Sequence, residues 1–556
     1  MHDKDSKNRG MNLLVNSLHK ISLVCFVYTL TFVGCQLENK KIQNRRPNIL
    51  FIMADDHAYQ AISAYDDRLI QTPNIDRLAQ EGLLFSNACV TNSICAPSRA
   101  VILSGKHSHL NGKIDNIFPF DTTQITFPQL LQEHGYQTAM FGKLHFGNNP
   151  KGFDQFKILP GQGNYYNPDF ITKHDGKINM EGYTSDIITD MTLDWLANER
   201  TNEEPFLLMY LHKAPHREWL PPKRHYTEFM KKIFPEPATL FDNYDGRGRA
   251  AKEAEMNLLT HMNWAGDSKI PPAVMAELGI PETAIWDHRA YNNTVGRMTE
   301  AQRADWDKIY NPMIEEFKKN YPNMSQEDLM KWRYQRYMQD YLGSIAAVDD
   351  GVGRVLDYLD DHNLTDNTIV VYTSDQGFYL GEHGWFDKRF IYNESFKTPL
   401  LVRWPHVITP GTTNSQMVQN LDFAQTFLEA AGITAPADMQ GESLIPLFKG
   451  DTEGFRDAVY YHYYEYPSVH MVKRHYGIVT EDYKLAHFYY DIDEWELYDR
   501  KNDLNEMNNV YDDPAYAHIV VQLKEQLTEL RTKYKDSPEL DQQFIDKYKD
   551  LKRWDK

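Results

Sequence analysis

The sequence has few cysteines, a deficit of positive charge and no apolar run long enough to cross a bilayer. Its 556 residues include 4 cysteines, at positions 25, 35, 89 and 95. A dense disulfide framework is therefore excluded, and the 42% hydrophobic content must build the core instead. Acidic residues outnumber basic ones by 78 to 59, a formal net charge of −19. That balance argues against nucleic-acid binding as the main role. An acidic protein acting on an anionic substrate needs local cations, so Lys, Arg and His inside motifs carry extra weight. No internal repeat or low-complexity tract is present. One large α/β domain with an insertion and a smaller module is the expected organisation at this length.

Residues 11–34 read as an export signal. Lys20 precedes the apolar run 21–28, which falls short of the roughly 20 residues of a membrane span. Phe32-Val33-Gly34-Cys35 resembles a bacterial lipobox, with Cys35 the residue to be acylated. Phe32 stands where Leu is usual, so cleavage by the general signal peptidase is the alternative. Processing at Cys35 would leave 556 − 34 = 522 residues, held by a lipid rather than spanning the membrane. Residues 1–35 are then the leader and 36–46 a polar, basic tether. Residues 1–10 are polar and unlike a signal, which makes Met11 an alternative start. The expectation is an exported bacterial protein, periplasmic or on the outer surface.

From Pro47 the pattern alternates. Pro47-Asn48-Ile49-Leu50-Phe51-Ile52-Met53-Ala54 is apolar throughout, as a strand buried on both faces must be. Helices are expected over residues 75–81, 97–103, 127–134 and 186–198. Strands are expected over 137–141, 206–211, 368–373 and 400–403, with a helix over 422–431. Tyr341, Ile345, Val348, Val352, Val355 and Leu359 step by three and four, predicting an amphipathic helix. This alternation predicts a doubly wound α/β sheet. Residues 217–330 break the pattern with Pro-, Lys- and Asp-rich stretches and read as an insertion with weak helices. Residues 47–450 form the expected catalytic domain. Residues 451–556 carry four short strands (459–464, 476–480, 483–488, 495–498) and a helix over 518–533, a C-terminal α+β subdomain.

Two strand ends carry acids. The first apolar run ends in Asp55-Asp56, and the 368–373 strand runs into Asp375-Gln376. Ligands of open parallel sheets gather at the carboxyl ends of strands. Adjacent carboxylates repel unless a cation holds them. An all-oxygen set without Cys or His points to Ca²⁺ or Mg²⁺, and Ca²⁺ is preferred because it accepts more oxygens in looser geometry. Cys89 and Cys95 lie six apart, and in an oxidising compartment a disulfide is open to them.

Cys95-Ala96-Pro97-Ser98-Arg99, running on to Leu103-Ser104-Gly105, resembles the maturation signature of the formylglycine-dependent, type I sulfatases. A second matching segment is Gly135-Tyr136-Gln137-Thr138-Ala139-Met140-Phe141-Gly142-Lys143-Leu144-His145, where Phe141 and Leu144 depart from the commonest residues. Asp55, Asp56, Asp375 and Gln376 match the family's metal positions, with Gln376 where many members have Asn. His216, in Ala214-Pro215-His216, and Lys388, in Asp387-Lys388-Arg389, match substrate-contacting positions. The resemblance implies an alkaline-phosphatase-like mixed sheet flanked by helices. It also implies that a maturation enzyme oxidises Cys95 to an aldehyde (3-oxoalanine), which rules out the disulfide.

In the implied chemistry one hydroxyl of the hydrated aldehyde at Cys95, itself a ligand of the cation and deprotonated there, attacks sulfur, and the second expels sulfate. Lys143 and Lys388 neutralise the sulfuryl oxygens, Arg99 and His145 hold the hydrate, and His216 protonates the leaving oxygen. His57, His107, His109 and His212 are expected to be structural. Residues 461–466 and 470–475, with His475 singled out, are candidate sugar contacts; an aromatic-rich hairpin facing solvent is the alternative. The resemblance is to enzymes acting on sulfated algal polysaccharides or host glycans. A phosphonate or phosphate monoester hydrolase of the same superfamily and an inactive glycan-binding lipoprotein are the rival readings.

Overall fold

The computed structural model describes residues 46–282 and 287–549. The expected leader with Cys35, and the tether apart from Arg46, lie outside the described residues. Among the described residues no helix is long and apolar enough to cross a membrane.

The core is a ten-stranded mixed sheet. Its middle is parallel: Thr368–Ser374, Asn48–Ala54, Phe206–Leu211, Gln137–Lys143 and Gln155–Leu159 lie side by side in that order. The first three bury every residue, the behaviour expected of strands covered on both faces. Leu400–Arg403 adds antiparallel at one edge, followed by Leu83–Phe85 and Thr412–Asn414. The hairpin Asp169–Thr172 and Lys177–Asn179 closes the other edge. Short or antiparallel edges of this kind limit unwanted strand pairing.

The Gln326–Asp361 helix is 36 residues long and packs on one face of the sheet. It begins well before the predicted apolar stripe, because Ser325 caps it and Asp328 returns the bond. Glu300–Asn320, inside the supposed insertion, is a 21-residue helix with its own Thr299/Gln302 capping box. Trp306, Tyr310, Ile314 and Phe317 are its buried stripe, so this stretch is a packed layer rather than a set of weak helices.

The C-terminal strands Ala458–Tyr463, His475–Thr480, Tyr483–Phe488 and Glu494–Asp499 form an antiparallel meander. Alternate residues face opposite ways. Tyr460, Ile478, Leu485 and Leu497 pack with Leu523 and Leu527 of the Ala517–Lys533 helix. Tyr461, Val479, Ala486 and Phe488 pack with Trp385, Phe390 and Phe396 from the site loops. Both faces are therefore covered, and the meander supports the site directly.

Candidate active site

Strand register assembles the centre. Ala54 pairs with Ser374, so Asp55 and Asp56 emerge beside Asp375 and Gln376, all fully buried. Oxygens of Asp55, Asp56 and Asp375 lie within 4.8 Å of one another. On the other side Leu211 pairs with Met53 and with Gly142, which brings up Lys143, His145 and, past the strand end, His216.

Cys95 opens the Cys95–Ser104 helix, every residue of which is buried. Its Sγ lies 3.5 Å from Asp55 Oδ1. One turn on, Arg99 donates through Nε to Asp375 Oδ2 at 2.9 Å, sits 3.4 Å from Asp55 Oδ2 and donates to the Lys143 carbonyl. Lys143 pairs with Asp55, and Lys388 donates to both oxygens of Asp56 at 2.7 and 2.8 Å. His216 places Nε2 3.7 Å from Asp56 Oδ2. Its Nδ1 is 2.5 Å from the Arg217 carbonyl, an acceptor only, so that nitrogen carries the proton. His145 has an unpartnered Nδ1 among the described residues and, like Asp56, adopts a left-handed backbone (φ 65° and 66°). Such strain in non-glycine residues clusters at functional sites.

The electrostatics call for a cation. Burial opposes ionisation of Asp55, but Lys143 and then Arg99 outweigh it and hold that carboxyl well below the usual range. Asp56 is pushed up to about 7 by burial and by the charges of Asp55 and Asp375, despite Lys388. Asp375 is likewise raised by burial and by Asp55. Gln376 donates to Asp56, while its Oε1 is buried without a hydrogen-bond partner among the described residues. Three carboxylates and a free amide oxygen suit a hard divalent ion. The side chains alone balance, −3 from the aspartates against +3 from Arg99, Lys143 and Lys388. A dication would leave +2, which favours an anionic ester.

Burial and then Asp55 raise the Cys95 thiol well above its ordinary value, so the unmodified side chain is a poor nucleophile. Among the described residues Cys89 and Cys95 are both free of a disulfide. Cys89 donates its thiol to the Val418 carbonyl at 3.3 Å.

His145, His216 and Lys388 open into a cavity of about 540 Å³ that also exposes Asp387, Arg389, Glu465 and His470, a volume typical of a small-ligand site. Asp387 and Arg389 flank Lys388, both with positive φ (77° and 96°). A polar chain runs from Asp267 through Arg217 to His470, 3.4 Å from Arg217 Nη1, and on to Asp387 at 3.2 Å. Glu465 and His470 fall in the stretches 461–466 and 470–475 expected to contact sugar, and both line the cavity. Asp387 and Arg389 adjoin Lys388 in its motif, whereas Arg217 and Asp267 carry no local signal.

His475 is not in the cavity, contrary to the expectation that it contacts sugar. It is fully buried in the meander, with Nδ1 bonded to the Lys473 carbonyl at 2.8 Å and Nε2 accepting from Ile391 N–H at 3.1 Å. Tyr461 and Tyr463 are buried around it, so this aromatic stretch is core rather than a solvated hairpin. His57 and His212 are also fully buried and far from ionising: burial lowers their pKa to about 4 and about 3.

A mixed sheet with acids and cations at its carboxyl ends is the alkaline-phosphatase-like architecture, shared by solved structures that include a phosphonate monoester hydrolase of Agrobacterium radiobacter. That enzyme has TM-score 0.63 and 20% identity, with 88% of this chain and 96% of that one covered. Residues 47–433 match the family described as Sulfatase, and residues 381–533 match N-sulphoglucosamine sulphohydrolase, C-terminal. The chain belongs to the sulfatase family and is a sulfuric ester hydrolase. It is 48% identical over 515 residues to the N-acetylglucosamine-6-O-sulfatase of Bacteroides thetaiotaomicron, covering 91% of this chain and 90% of that one. The human N-acetylglucosamine-6-sulfatase is 25% identical over 434 residues, 73% of this chain and 65% of its own. A solved sulfatase in complex with its substrate D-glucosamine-2-N,6-O-disulfate superposes with TM-score 0.84 at 48% identity, covering 89% of this chain and 99% of that one. Members of the family generally use a formylglycine and a divalent metal.

Proposed function

We propose that this chain removes the 6-O-sulfate from a glucosamine unit of a sulfated glycan, with Cys95 converted to formylglycine. The observation that carries the reading is Cys95, set 3.5 Å from Asp55 beside three clustered carboxylates, at a sugar-sized cavity. The 48% identity with the N-acetylglucosamine-6-O-sulfatase supports the choice of sugar and position.

Asp55, Asp56, Asp375 and Gln376 would hold Ca²⁺ in preference to Mg²⁺, because the four oxygens come from two loops and allow loose geometry. When bound, that ion supplies charge neutralisation at the sulfuryl oxygens. The formylglycine, installed by a maturation enzyme, supplies a hydrated aldehyde as nucleophile. Arg99, fixed between Asp375 and the Lys143 carbonyl, keeps position 95 against the carboxylates. Lys143 and Lys388, buried and shielded from water, stabilise the charge that grows on the sulfuryl group. His145 holds the nucleophilic side chain in place. His216, whose pKa burial and then the charge of Lys143 hold well below the ordinary value, donates Nδ1–H to the Arg217 carbonyl and turns Nε2 towards the cavity. It is as the imidazolium, with Nε2 also protonated, that it gives a proton to the departing sugar oxygen. An exported, Cys35-anchored enzyme would meet such glycans outside the cytoplasm.

The C-terminal match to N-sulphoglucosamine sulphohydrolase favours one other reading, cleavage of an N-sulfate. Peptide mass spectrometry at position 95 tests the shared premise: an aldehyde mass supports both readings, and an intact thiol in active enzyme removes both. Turnover of aryl sulfate against aryl phosphate tests the rival phosphate chemistry.

A further inference from the structure

Lys213 is a buried cation that the mechanism above leaves without a task. It is 2% exposed and has no carboxylate partner within 4.0 Å among the described residues. Burial, and after it the charge of Lys143, pull its pKa down to about 8. Holding a lysine here costs stability that a methionine of similar shape would not.

Its contacts show where that cost goes. Lys213 Nζ donates to the Arg217 carbonyl at 3.1 Å, the same oxygen that takes the Nδ1 proton of His216. The ammonium also lies over the Tyr165 ring, 4.6 Å from its centre. Tyr165 in turn donates its hydroxyl to the His216 carbonyl at 2.7 Å. The two peptide units that follow His216, 216–217 and 217–218, are thus held, the first by Tyr165 and the second by Lys213. An imidazole whose Nδ1–H is committed to a fixed acceptor turns Nε2 alone towards substrate, and as the imidazolium it has a proton to give there.

We infer that Lys213 is a positioning residue, fixing the Arg217 carbonyl so that His216 keeps Nδ1 protonated and aims Nε2 at the leaving oxygen. This rests on the reading of His216 as the acid. Lys213 touches neither the cavity nor the reacting atoms. Its loss should therefore be felt only through His216.

The test is a double-mutant cycle, Lys213→Met with His216→Gln, measured on a sugar 6-sulfate and on nitrophenyl sulfate. Lys213→Met should lower kcat on the sugar sulfate by roughly 10- to 100-fold, leave nitrophenyl sulfate within a few-fold, and not lower Tm. In the His216→Gln background Lys213→Met should add no further loss. Lys213→Gln, which keeps a donor for the carbonyl, should recover most of the activity; it also serves should the methionine variant not fold. Additive losses, equal losses on both substrates, or undiminished activity of Lys213→Met would overturn the assignment while leaving His216 as the acid. If His216→Gln alone spares the sugar sulfate, the acid assignment fails first, and the role of Lys213 with it.

Discussion

The backbone N–H of Asp56 donates a 3.1 Å hydrogen bond to the side chain of Asp375, 319 residues away in the chain. The bond exists because two parallel strands end in the same register, and it makes the cation site a property of the sheet. Removing one carboxylate should therefore abolish ion binding without unfolding the protein. Asp375→Ala should lose activity and bind no Ca²⁺ by calorimetry. Exhaustive chelation of the native enzyme should lower Tm, since an ion at 100 times its Kd adds about 2.7 kcal/mol. Full activity after verified metal removal would contradict the site.

His216 and Lys388 should separate by leaving group. His216→Ala should cost roughly 10²–10⁴-fold in kcat/KM on a sugar sulfate and much less on nitrophenyl sulfate, whose phenolate leaves unaided. Lys388→Ala removes charge from the sulfuryl group itself and should harm both comparably. Equal losses for His216→Ala would make it a sulfate-binding residue instead.

The acids, Cys95 and the cationic residues were all legible in the sequence, and the reason is local. Asp55-Asp56 and Asp375-Gln376 directly follow apolar runs that can only be buried strands, and Cys95, Lys143 and Lys388 lie in contiguous motifs. The cavity wall was legible only in part: Glu465 and His470 lie in the stretches read as sugar contacts and Asp387 adjoins Lys388 in its motif, but Arg217 and the Asp267 behind it join them only in three dimensions. His475 was over-read for a physical reason. A histidine among tyrosines looks like a sugar platform, but the meander is covered on both faces and even its polar residues go inside. The second C-terminal helix, Pro538–Tyr548, went unread because its buried positions are few.

Stability should depend on pH through buried histidines. His212 is fully buried, its ring nitrogens lack hydrogen-bond partners among the described residues, and burial lowers its pKa to about 3. Below about 6.5 the unfolded chain takes up a proton there that the folded one refuses, so stability falls as pH drops. Between pH 6.5 and 5 that amounts to about 1.6 kcal/mol from this residue. His212→Phe, packed against Tyr210 where the imidazole lies 4.3 Å from that ring, should show a smaller fall in Tm from pH 7 to pH 5 than the native protein. An unchanged or larger fall would show that His212 does not resist protonation.

Cys95→Ala should abolish sulfate release while sparing the fold, because the helix loses only a sulfur atom. Native-like Tm with no turnover is the expected pair of results; substantial residual turnover would place the nucleophile elsewhere.

The most direct measurement is to incubate the purified, matured enzyme with D-glucosamine-2-N,6-O-disulfate and follow the 6-O-sulfate ester and the N-sulfate by NMR. Loss of the 6-O-sulfate, with the N-sulfate retained and one equivalent of sulfate released, is the predicted result. Loss of the N-sulfate first, or no release by protein whose position 95 is verified as aldehyde, would contradict the account.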